Sequence, residues 1–117
     1  MAKRLQEDYL HGIVEHANYA ESFVRGIDLA GFRSNVEKLF AVTRALEIIG
    51  EAANHLSPQF RKQHPDVPWD DIIGMRNIVV HGYFGVDIDV IWRTAQEDIP
   101  VLKQQIQQIL DSFVEDE

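Results

Sequence analysis

Apolar residues return every three or four positions along almost all of this chain, and that period belongs to helices that bury one face. In the first segment Leu5, Tyr9, Ile13, Ala17, Ala20, Val24 and Ile27 form the stripe, with Glu7, Asp8, His11, Glu15, Asn18 and Glu21 opposite. Gly26 and Gly31 punctuate its end. Ser34 and Glu37 then read as a capping box opening a second helix, whose stripe is Leu39, Val42, Leu46, Ile49, Ala53 and Leu56. Ser57-Pro58 ends it, and residues 58–68, with Pro58, Pro65 and Pro68, read as a connector. A third helix starts beside Pro68, where Asp70 and Asp71 favour the positive end of its dipole, and Gly82 is its natural stop. Asp87 is the expected N-cap of the last helical stretch, with a stripe of Ile88, Ile91, Ala95, Ile99, Leu102, Ile106, Ile109 and Phe113. That stripe keeps phase through Pro100, so the spacing predicts one helix kinked there, or two end to end. No alternating strand pattern, repeat or linker interrupts the series. The expectation is an all-α chain: a single domain over residues 1–117, built as an up-down bundle of four to five helices.

Composition narrows the chemistry. The chain has 117 residues, of which 45% are apolar, enough for a core without staples. It has no cysteine, which excludes disulfides, thiol catalysis and cysteine-based metal sites. No pair of His with a carboxylate has convincing ligand spacing, so no metal and no cofactor is expected. The glycines make no phosphate loop. No apolar run approaches the roughly 18 residues that span a bilayer, so no membrane association is expected, and the cytoplasm is the default location. The formal charge of −8 argues on its face against nucleic acid. It is unevenly spread, however: residues 84–117 alone carry +2 and −8.

The informative positions are those that break the helical pattern. Arg76 lies four residues after Ile72, three after Ile73 and four before Val80, in the middle of an apolar stripe. A guanidinium cannot shed its charge, so it must meet a carboxylate, an interface or an anionic ligand. Glu47 or Glu51 on the second helix could supply the carboxylate. Asp70, Gly74, Asn77 and His81 share one face of the same helix, and Gly74 leaves room there for a ligand or a neighbouring backbone. His81, in the last turn, suits the negative end of the dipole as a simple terminal partner. Arg44, Glu47, Glu51 and His55 form a line on the second helix. That line is either a solvated face with an internal ion pair or one wall of a cleft shared with Arg76 and His81.

The run Arg76-Asn77-Ile78-Val79-Val80-His81-Gly82-Tyr83 reads Arg-x4-His-x-Tyr. It resembles the signature of the HepT-like branch of the HEPN superfamily, the toxin halves of prokaryotic toxin–antitoxin pairs. Three further stretches look like that family: Ala45 to Ala53, Pro68 to Met75 and His81 to Asp87. A bare Arg-x4-His says little, but the extended motif with its flanks in order is specific, and the resemblance runs over nearly the whole chain. It implies an HEPN-like bundle that forms a homodimer, with the motifs of two protomers facing one composite active site. It implies a metal-independent endoribonuclease with Arg76 and His81 in the catalytic positions and Asn77 as the polar residue after the arginine. Glu47 and Glu51 are the expected supporting carboxylates. Tyr83 matches the tyrosine that a cognate nucleotidyltransferase antitoxin modifies with AMP to silence the toxin.

These residue types suit RNA cleavage. RNA carries its own nucleophile, the 2′-hydroxyl, and a neutral imidazole with pKa near ~6.5 can take its proton. An arginine aimed at the phosphorane oxygens stabilises their extra negative charge. The expected products are a 2′,3′-cyclic phosphate and a free 5′-hydroxyl. The competing expectation is a non-catalytic helical module that binds a nucleotidyltransferase or a nucleotide, with Arg76 sealed against a glutamate.

Overall fold

A computed structural model describes residues 2–81 and 87–115, and side chains among these except 2, 3, 78–81 and 115. The described residues form α1 (Ala2–Val24), α2 (Leu29–Arg33), α3 (Val36–His55), α4 (Pro58–Gln63), α5 (Trp69–His81), α6 (Ile88–Arg93), a π-helical turn (Thr94–Asp98) and α7 (Ile99–Glu115). There is no strand among them, so the chain is all-α. The long helices pack in the spatial order α5, α3, α1, α7.

α1 buries Leu10, Ile13, Ala17, Ala20 and Val24. Its face is thus rotated from the expected one at its start. Leu5 is 50% exposed, and Gln6 and Leu10 take the inner positions. Gln6 can be buried because its Oε1 accepts the backbone N–H of Ser57 at 3.1 Å. Gly26, at φ +80°, supplies the left-handed turn that ends α1 cheaply. Lys38 Nζ donates to the carbonyl of Phe23 at 3.0 Å, which satisfies an orphan acceptor at the same helix end.

Two short helices fall where turns and a connector were expected. α2 is capped by Asp28, which accepts from Gly31 N at 2.8 Å. The helix buries Phe32. Arg33 grips Asp89 with contacts of 2.6–2.9 Å, tying α2 to α6. That carboxylate raises the arginine's pKa further. α4 begins with Pro58 at its first turn, behind Ser57, whose hydroxyl accepts from Phe60 N at 3.0 Å. Pro58 is therefore a helix starter as well as the stop of α3.

The expected capping box is displaced by one residue. Asn35 caps α3, accepting from Lys38 N at 3.1 Å. Ser34 is used as the C-cap of α2, its hydroxyl donating to Gly31 O at 3.1 Å. Asp87 is the N-cap of α6, as expected, accepting from the N–H groups of Asp89 and Val90. The expected kink at Pro100 takes the form of the π turn just before it. Ile99 N donates to Thr94 O, five residues back. Proline lacks an N–H, and its ring crowds the carbonyl four residues earlier, so a wider turn there relieves the conflict. No helix among the described residues is long and apolar enough to cross a membrane.

Candidate active site

The candidate site is built where α3 and α5 cross most closely. Gly50 is buried on α3. A Cβ on it would stand 3.0 Å from Arg76 N, 3.0 Å from Ile72 O and 3.3 Å from Arg76 Cβ. Only glycine lets the two backbones approach this far, and the approach is at Arg76 itself. The sequence carried a signal for this. A glycine inside an otherwise good helix costs ~1 kcal/mol against alanine, so it needs a packing reason.

Arg76 Nη1 donates to Glu51 Oε1 at 3.1 Å. One turn along α3, Arg44 pairs with Glu47. These four side chains and Asn77 line one open cleft of about 460 Å³. The Arg76 side chain is 32% exposed and that of Glu51 49%, so the pair is formed but not sealed. The Nε of Arg76 is buried without a hydrogen-bond partner among the described residues. An unmet donor on a charged group is costly, and it leaves the guanidinium able to take one more acceptor after a small shift.

The structure therefore brings Arg76 and Asn77 together with Arg44, Glu47 and Glu51 of the expected line on α3. His55 is not a member of the cleft wall. It faces α1, where its ring stacks on Tyr9 with centroids 5.2 Å apart and planes at 13°. Gly74 leaves open space rather than receiving a neighbouring backbone, with nothing within 4 Å of its would-be Cβ. His81 closes α5 as its last described residue. Tyr83, and Gly82 as the expected stop of that helix, lie outside the described residues. Among the described residues no group of three or more side chains could hold a metal ion.

A family described as ribonuclease HepT-like matches residues 13–109. The chain belongs to the HepT-like family. It is 43% identical over 107 residues to the Thermococcus cleftensis protein named "Probable ribonuclease HepT", covering 92% of this chain and 97% of that one. It is 41% identical over 107 residues to a Methanocaldococcus jannaschii protein, MJ1380, named provisionally as an RNase, covering 92% and 98%. A third relative, TTE0752 of Caldanaerobacter subterraneus, also provisionally named an RNase, is 40% identical over 102 residues, covering 87% of this chain and 91% of its own. No solved structure matches the chain. The HepT-like match contains the whole of α3 and α5, so the cleft lies inside the part of the chain the family shares.

Proposed function

We propose that this HepT-like chain is a toxin that cleaves RNA without a metal ion, acting as a homodimer. The observation that carries the reading is Arg76: a guanidinium set in an apolar helical stripe, held by Glu51, open to solvent, five residues before His81. Those five residues separate the two backbone positions by roughly 140° around α5 and ~7.5 Å along it. Two copies related by a two-fold axis supply two arginines and two histidines to one cleft, which suits a reaction needing a base and an acid.

In this mechanism one His81 takes the proton of the 2′-hydroxyl as that oxygen attacks the adjacent phosphorus. Arg76 binds the non-bridging oxygens, where negative charge grows. The His81 of the second copy protonates the departing 5′-oxygen. A 2′,3′-cyclic phosphate and a 5′-hydroxyl result. Glu51 and Glu47 position the guanidiniums of Arg76 and Arg44, and Asn77 offers a neutral hydrogen bond at the cleft edge. Tyr83 is the residue on which a partner nucleotidyltransferase antitoxin installs AMP. A base of the antitoxin takes the phenol proton as the oxygen attacks the α-phosphorus of ATP and pyrophosphate leaves, which places a bulky anion two residues from His81.

The test is cleavage of RNA by the purified protein in EDTA, with the products analysed for cyclic phosphate. Arg76→Ala is expected to lower the rate by roughly 10²–10³ and His81→Ala by roughly 10²–10⁴. Cleavage that survives both changes sinks the assignment. The second reading, a non-catalytic module, draws on the same Arg76–Glu51 pair and on the cleft's balance of two arginines with two glutamates. It predicts nucleotidyltransferase or nucleotide binding with no cleavage by the wild-type protein.

A further inference from the structure

The four long helices close three seams and leave one open. α5 packs on α3, α3 on α1 and α1 on α7, while between α5 and α7 runs a groove of about 650 Å³. Ile72 and Met75 line it from α5, and Ile99 and Leu102 line it from α7. Val101, 56% exposed, adds an apolar side chain that water would otherwise cover. Asp70, Asp71 and Asp98 also line the groove, and no lysine or arginine does among the described residues. It shares no residue with the Arg76 cleft.

We propose that this groove docks an amphipathic helix of a partner protein, with apolar anchors toward the bundle and Lys or Arg on its flanks. The shape suits a helix, because the groove is a helix–helix seam lacking its filler. Gly74 widens it, since nothing stands within 4 Å of where its Cβ would be. The charge selects the occupant. Asp70 and Asp71 have a local reason to stand in the first turn of α5, at the positive end of the dipole. Asp98, across the groove in the π turn, is an exposed third carboxylate without that role. Three carboxylates repel a phosphate backbone, so RNA does not fit. A second copy of this chain brings a formal charge of −8 to an already acidic groove, which disfavours self-docking. A cationic, amphipathic helix satisfies both the floor and the rim.

The proposal stands apart from RNA cleavage, and its test uses none. A phage-displayed library of 14-residue helical peptides is selected on the full chain. The best binder is then synthesised and titrated by fluorescence anisotropy. Enriched peptides are expected to carry apolar residues at three- and four-residue spacing flanked by Lys or Arg. Binding is expected to weaken at least tenfold in Gly74→Leu and in Asp98→Lys, and to weaken with added salt. Circular dichroism melts establish that each variant is folded. Should Gly74→Leu fail to fold, Val101→Glu, on an exposed position, takes its place. Three outcomes overturn the proposal: enriched peptides that are acidic or lack the spacing, a best binder indifferent to these substitutions, or a change of oligomeric state in Gly74→Leu, which would make the groove a self-interface.

Discussion

Gly50 and Gly74 stand on adjacent helices, and their surroundings are opposite. At Gly50 a single added carbon would press on the backbone of α5 at 3.0 Å, whereas at Gly74 it would touch nothing within 4 Å. The first glycine removes a side chain so that α3 can carry Glu51 up to Arg76. The second removes one and leaves a groove. α5 is thus tightly seated on one side and open on the other. The seated side holds the ion-paired cleft, and the open side holds apolar surface edged with carboxylates. The same residue type therefore marks a packing constraint in one place and a vacancy in the other, and only the neighbouring helix distinguishes them.

Substitution at the two glycines separates the two sides of α5 most strongly. Gly50→Leu is expected to destabilise by about 3 kcal/mol, the upper end of ordinary overpacking, because backbone atoms rather than flexible side chains obstruct it. The same change should lower RNA cleavage in the fraction that still folds, since it displaces Arg76. Gly74→Ala is expected to stabilise by roughly 0.5–1 kcal/mol, through helix propensity alone. Urea unfolding of both variants reads these values. Equal effects at the two positions would mean that α5 is not seated asymmetrically.

The Arg76–Glu51 pair gives a smaller signal in stability and a larger one in function. Both partners reach solvent, so Glu51→Gln should change stability by less than ~1 kcal/mol. If Glu51 positions the guanidinium, the same variant should slow RNA cleavage while leaving the melting curve nearly unmoved. A loss of several kcal/mol would instead mark the pair as a structural tie, and would favour the non-catalytic reading.

The long helices were legible because each spans enough turns for its stripe to repeat. α2 and α4 were not, since five and six residues hold under two turns and show no period. The cap of α3 was misplaced by one because Ser34 and Asn35 can both cap, and α2 claims the serine. Leu10 was passed over because Leu5 and Tyr9 offered an equally regular stripe; the Gln6–Ser57 hydrogen bond, a tertiary feature, helps settle the face. In the cleft, Arg76 announced itself by violating the apolar pattern, and Glu51 was one of two named partners. Gly50 belongs to no motif in the sequence, and its role, to permit a helix crossing, shows only once α5 lies against it. His55 shared a helical line with the glutamates but was drawn to Tyr9, a contact that spacing on one helix cannot show.

The anchor of α5 gives the gentlest test. The Nε1–H of Trp69, at the start of the helix, donates to the carbonyl of His64 at 2.9 Å. The His64 ring lies against Phe60, centroids 4.7 Å apart. Burial there lowers the histidine's pKa below its usual 6.5. The folded state therefore resists protonation more than the unfolded chain does. Between the two pKa values the unfolded state binds more protons, so this group favours folding above ~6.5 and loses that contribution as pH falls through the folded value. Thermal melts of wild type and His64→Gln between pH 7.5 and 5.5 isolate the effect from the other titrating groups. The wild type should lose melting temperature over that interval by slightly more than the variant. A reversed difference would mean that His64 is stabilised as a cation, and that the start of α5 is held by charge rather than by the packing of Phe60, His64 and Trp69.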